Sequence, residues 1–145
     1  MNRVNLITLG TKDISKAHDF YKEIGFETTV VGDPDSPDIV FFRNEGSKIS
    51  LYPIEHLARD INKEQPPAFN QGGFQGITFA YNTKSKNEVD KILSQVKQAG
   101  ASVVKDAAPT DWGGYGGYFQ DLDGYYWEVA YGEMWEFDEQ NMLKV

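Results

Sequence analysis

An internal repeat constrains this chain more than any other feature. A step of 72 positions carries Leu6 onto Thr78, Asp13 onto Ser85, Ala17 onto Val89, Phe20 onto Ile92 and Tyr21 onto Leu93. Helix-capping residues thus meet helix-capping residues, and apolar helix positions meet apolar helix positions. Farther along, a step of 78 carries Gly46 onto Gly124 and lays Ser50 over Glu128 and Leu51 over Val129. Any two strand–helix units share some periodicity, but agreement among caps, core positions and turns points to a duplicated unit.

Each copy reads as one strand, one helix and three further strands. In the first copy, residues 4–9 are a strand. Asp13 caps a helix with Ala17, Phe20 and Tyr21 on one face, and Gly25 stops it. Strands follow at 27–31, 39–43 and 48–52, separated by turn-forming stretches at 32–37 and 44–46. Residues 53–73, with Pro66-Pro67 and Gly72-Gly73, read as a linker with room for one short helix around 55–63. The second copy has a strand at 76–82, a helix entered through the capping-box spacing of Ser85 and Glu88 and ended by Gly100, and strands at 101–105, 115–120 and 125–131. One domain of 145 residues is expected, with module one at about 3–54, a linker at 55–74, module two at 75–131 and a tail at 132–145.

Composition narrows the partners. A net charge of -8 repels a phosphate backbone and an anionic membrane surface alike, so no nucleic-acid or membrane partner is expected. With no cysteine, thiolate zinc sites, iron–sulfur clusters and thiol nucleophiles drop out together. The apolar stretch 4–9 is cut off by Lys12 and Asp13 too early for a signal-peptide core, which makes a cytoplasmic location the expectation. No phosphate-cradling loop, dinucleotide fingerprint or nucleophile elbow occurs, and the glycines between Gly113 and Gly117 lack the helix and lysine of a phosphate site.

The quoted pattern carries a resemblance. Leu6-Ile7-Thr8-Leu9-Gly10 through Asp13, Phe20-Tyr21 and Gly25-Phe26 form one half of it. Trp112-Gly113-Gly114-Tyr115-Gly116-Gly117-Tyr118-Phe119 and Asp121-Leu122-Asp123-Gly124-Tyr125-Tyr126-Trp127-Glu128-Val129 form the more specific half. Together they resemble the vicinal oxygen chelate superfamily of glyoxalases, bleomycin-resistance proteins and extradiol dioxygenases, over roughly residues 3–131. The resemblance implies an α+β fold in which two βαβββ modules form a half-open eight-stranded barrel with helices outside and a ligand cleft within. Strand alternation puts Ile7, Leu9, Ile49, Leu51, Ile77, Phe79, Tyr81, Trp127 and Val129 beneath the helices. It leaves Leu6, Thr8, Ser50, Tyr52, Thr78, Ala80, Asn82, Tyr126, Glu128 and Ala130 on the cleft side.

Metal-dependent members of that family hold one divalent ion with His and Glu side chains at four positions, which here match Leu6, Ser50, Thr78 and Glu128. Only Glu128 is a competent ligand, so no cofactor is expected and a divalent metal is disfavoured. Of the two histidines, His18 reads as a solvated helix residue, and His56 as an exposed linker residue within reach of the cleft rim. Glu128 has two open readings: a proton shuttle or partner for a cationic ligand, and a structural carboxylate satisfied by hydrogen bonds across the barrel. Trp112 and Tyr126 are expected to form a stacking surface for a planar or cationic molecule, with Tyr52, Thr78, Ser50, Tyr118 and Asn82 as further ligand-binding residues. Trp135 and Phe137 in the acidic tail are expected to cover a subunit or barrel edge.

Two functions compete. One is a metal-free binding protein of the bleomycin-resistance type that sequesters a small molecule. The other is a glyoxalase-type lyase or dioxygenase with an unconventional metal site, built from Glu128 with His56 or with groups from a partner subunit. A barrel that serves only assembly is a third possibility, and a homodimer is expected in any case.

Overall fold

The computed structural model describes residues 2–69 and 73–144, so Gly72, in the linker read from the sequence, lies outside the described residues. Two compact units meet at Gly73 and Phe74. The first contains β1 (Leu6–Thr11), α1 (Ile14–Glu23), β2 (Thr28–Asp33), β3 (Ser36–Phe42), β4 (Lys48–Pro53) and α2 (Ile54–Ile61). The second contains β5 (Thr78–Thr83), α3 (Lys86–Gln98), β6 (Ser102–Pro109), β7 (Tyr115–Gln120) and β8 (Tyr126–Tyr131). The sheet orders are β1-β4-β3-β2 and β5-β8-β7-β6, so each unit is a βαβββ module with the same topology.

Register confirms the repeat residue by residue. Leu6 lies opposite Lys48 in the parallel pair of the first unit, and Thr78 lies opposite Tyr126 in the second, which is where the steps of 72 and 78 take them. The turns before β4 and β8 agree as well, because Gly46 and Gly124 both have left-handed backbones, at φ 71° and 92°.

The helices start and stop for the reasons their sequences suggest. Asp13 accepts a hydrogen bond from the Lys16 amide at 3.1 Å, and Ser85 accepts one from the Glu88 amide at 3.2 Å. At the other ends, the Phe26 and Ala101 amides reach back to the Tyr21 and Val96 carbonyls, closing both helices around Gly25 and Gly100. Phe20, Tyr21, Val40, Phe42 and Leu51 are buried between α1 and its sheet, with the Tyr21 and Phe42 rings 4.8 Å apart. Val89, Leu93, Phe119, Trp127 and Val129 are buried in the same way around α3.

Four expectations are corrected. His18 is not solvated: it is 7% exposed, and its Nε2 lies 2.7 Å from the Thr28 hydroxyl. Burial, and next the Lys22 charge, lower its pKa below the ordinary histidine value. Ile77 and Tyr81 are not packed beneath a helix but are 48% and 46% exposed, because β5 is the edge strand and Ile77 precedes its first residue. The stretch at 32–37 is mostly strand, since β2 runs to Asp33 and β3 starts at Ser36. An Asp33 carboxylate that accepts the Asp35 amide at 2.9 Å closes the hairpin within two residues. Finally, β6 continues past residue 105 to Pro109, whose missing N–H is tolerated on an edge strand.

Candidate functional site

In the second unit the sheet face turned away from α3 carries the polar chemistry. Trp127, Val129 and Phe119 point toward the helix, so by alternation Glu128 and Tyr118 point the other way. The two lie directly opposite each other on β8 and β7, and the Tyr118 hydroxyl donates to Glu128 Oε1 at 2.8 Å. Loss of water around Tyr118, followed by this bond and the charge of Glu128, pushes the phenol pKa up to about 12. Tyr118 is therefore a committed donor at neutral pH, and Glu128 accepts through one oxygen. Among the described residues no hydrogen bond or ion pair engages Glu128 Oε2, and the residue is half-buried. A carboxylate held on one side and open on the other can receive a ligand's N–H or ammonium.

Tyr126 and Asn82 are half-buried on this face, and Thr78 and Ala80 are exposed beside them on β5. Tyr126 is two residues from Glu128 and meets the Phe74 ring edge-on at 5.4 Å. Trp112 is at the opposite end. Its ring lies where a Cβ on Gly114 would be, 1.9 Å from its nearest carbon, and it stacks on Trp135 at 5.2 Å with 20° between the planes. Gly114 precedes Tyr115, whose partner is Tyr131, whereas Tyr126 pairs with Gln120. The length of β8 therefore separates Trp112 from Tyr126, and the single stacking surface expected from the sequence does not form. Trp135 covers the end of its own sheet, folded back by a turn from Gly132, and Phe137 lies beneath the Lys84 ammonium.

In the first unit, Ser50 is fully buried and donates to the Thr8 hydroxyl at 3.0 Å. Tyr52 faces α2, where its ring meets His56 edge-on at 6.0 Å. Its pKa is raised by lost hydration and by its hydrogen bond to the Asp60 carboxylate. His56 thus belongs to an ordered helix, and Ala58 on the same helix is buried.

The donor chemistry at the four metal-type positions is thin. Leu6 offers no donor, the Ser50 hydroxyl is occupied by Thr8, Thr78 offers one alcohol, and Glu128 shares Oε1 with Tyr118. Among the described residues no three His, Asp or Glu side chains are grouped closely enough to hold a metal ion.

Sequence reasoning missed Lys105. Alternation from Val103 puts it beneath α3, but a bulge at Val104 shifts the register so that Val103 pairs with Phe119 and Lys105 with Tyr118. Its ammonium lies over the Tyr118 ring, 5.8 Å from the centroid. Gly114 and Gly132 were the available signal for the Trp112–Trp135 stack, since bare backbone makes room for both indoles.

A family model described as Glyoxalase/Bleomycin resistance protein/Dioxygenase superfamily matches residues 3–129. Among solved structures the chain is similar to a glyoxalase-related enzyme from Fulvimarina pelagi, with 24% identity and a TM-score of 0.86 over 100% of this chain and 99% of that one. It is similar to a glyoxalase/bleomycin resistance protein/dioxygenase family enzyme from Burkholderia phytofirmans PsJN, with 18% identity and a TM-score of 0.71 over 88% and 96%. A third is lactoylglutathione lyase from Agrobacterium tumefaciens, with 22% identity and a TM-score of 0.67 over 95% and 99%. At these identities the likeness shows the fold alone. No curated protein matches the sequence.

Proposed function

We propose that this chain, which belongs to the glyoxalase/bleomycin resistance protein/dioxygenase superfamily, binds a small planar cation on the Glu128 face of its second unit without a catalytic metal. One observation carries this reading: Glu128 is fixed through Oε1 by Tyr118, while Oε2 is open on a face that also presents Tyr126. The residues at the metal-type positions do not fit a divalent ion, because such a site takes about three protein donors and Glu128 is the only carboxylate or imidazole among them. Tyr118 and Tyr126 supply aromatic surface next to the carboxylate, and Trp112 lies too far along the sheet to share it. The reading includes a homodimer, supported by the exposed Met134 and Trp112 near the tail and tested by light scattering.

Calorimetric titration with benzylamine tests the site. Glu128→Gln is expected to weaken binding about tenfold to a hundredfold through loss of one charge-assisted contact, with the chain still folded. Unchanged affinity together with a lower melting temperature would make Glu128 a structural carboxylate and overturn the assignment. Elemental analysis checks the metal: stoichiometric divalent ion that is lost in Glu128→Ala would refute the metal-free reading.

A further inference from the structure

We propose that the row formed by Lys105, Tyr118 and Glu128 binds a zwitterion, a ligand with an ammonium and a carboxylate at the two ends of a short rigid spacer. This rests on the reading that Glu128 contacts the ligand, and it adds a requirement for the opposite charge at the far end.

The row crosses three neighbouring strands. Lys105 on β6 is opposite Tyr118 on β7, and Tyr118 is opposite Glu128 on β8. Two strand spacings, about 10 Å, separate the outer backbones. The Lys105 ammonium lies over the Tyr118 ring, while the hydroxyl of that ring donates to Glu128. One phenol therefore stands between a cation and an anion and keeps them from pairing with each other. Neighbours do not neutralise them either. Lys16–Asp13, Lys22–Asp19 and Lys144–Glu136 are ion pairs among the described residues, and neither Lys105 nor Glu128 takes part in them.

A ligand with one charge uses only half of such a row. A simple cation is attracted by Glu128 and repelled by Lys105. A simple anion meets the reverse, on a chain whose net charge of -8 already disfavours it. A ligand carrying both signs in the matching order gains at each end, so the row selects by repulsion as well as attraction. Placement supports the purpose: the bulge at Val104 is what moves Lys105 from the α3 side onto this face.

The test titrates the full-length chain with para-aminomethylbenzoate, which carries both charges across one ring, and with benzylamine and benzoate, which carry one each. The zwitterion is expected to bind about tenfold tighter than either single-charge probe. Lys105→Met keeps an unbranched apolar stem of similar reach and removes the charge at an exposed position, so the melting temperature should hold. In that variant the advantage of the zwitterion should vanish while benzylamine, no longer repelled, binds more tightly. Equal affinity for zwitterion and benzylamine, or an advantage that survives Lys105→Met, overturns the proposal. If benzylamine still depends on Glu128 in that case, only this proposal fails. If no probe binds at millimolar concentration, or if Glu128→Gln leaves benzylamine binding intact, the reading beneath it fails too.

Discussion

Tyr118 should be among the last tyrosines of this protein to ionise, and the reason can be separated into parts. Its pKa is pushed up to about 12 by lost hydration first, then by the hydrogen bond to Glu128 and the charge of that carboxylate. Against an ordinary tyrosine value of about 10, this corresponds to ~2.7 kcal/mol favouring the protonated phenol, which solvent around the half-buried pair reduces to ~1–2 kcal/mol. The fold prefers the protonated form, so between pH of about 10 and about 12 the unfolded chain loses this proton first. The stabilisation is therefore complete below about 10, declines as pH rises through that window and is gone above about 12. NMR titration of ring-labelled tyrosine should show a late resonance that is absent from Tyr118→Phe. The decisive variant is Glu128→Gln. It removes the charge and leaves the burial, so the late resonance should move down yet remain above about 10. A Tyr118 that titrates with exposed tyrosines in the unmodified protein, or one that Glu128→Gln does not move, would refute the reasoning.

Two further outcomes follow from packing and burial. Gly117→Ala should cost about 1–3 kcal/mol or more by urea unfolding, because the added Cβ would sit 2.5 Å from the Lys105 carbonyl and 2.7 Å from Leu93. Gly114→Ala would first meet the Trp112 ring, a side chain rather than backbone, on a residue that is 45% exposed. It should cost less stability while abolishing the near-ultraviolet dichroism of the Trp112–Trp135 stack. The reverse order of cost would contradict this account. For His18, whose pKa is lowered in the fold, stability is complete above about 6.5 and falls as acid protonates the unfolded chain first. The urea midpoint should drop as pH falls below about 6.5, and drop less in His18→Gln, which keeps a partner for the Thr28 hydroxyl; equal drops would remove His18 as the cause.

What could be read from the sequence was whatever depends on local chemistry repeated in the same order. Caps at Asp13 and Ser85, stops at Gly25 and Gly100 and the strand that carries Glu128 are all fixed by neighbours within a few residues. His18 was misjudged because one helical position does not reveal that Thr28, ten residues on, folds back over it. Lys105 was missed because alternation presumes an unbroken ladder, and the ladder breaks at Val104. Trp112 and Tyr126 appeared to be neighbours because they fall in one aromatic-rich run, whereas the hairpin from β7 to β8 sends that run out and back along the sheet. In each case the missing information was a non-local pairing.

The two modules have kept their register and parted in chemistry. Thr8, Ser50 and Phe41 form the row in the first unit that matches Ala80, Glu128 and Tyr118 in the second. Ser50 satisfies itself on Thr8 in a wholly buried position, so the first row spends its polar groups on each other. In the second row Ala80 offers no side-chain hydrogen bond to Glu128. The carboxylate takes Tyr118 as its partner through one oxygen, and the other is left over. A duplicated fold needs only one of its two equivalent rows to bind, and the row whose polar capacity exceeds its internal demand is the one with something to offer a ligand. Ala80→Thr would place on β5 the hydroxyl that Thr8 has on β1. If that hydroxyl donates to Oε2, the second row becomes as self-satisfied as the first, and benzylamine affinity should fall although every charge remains in place.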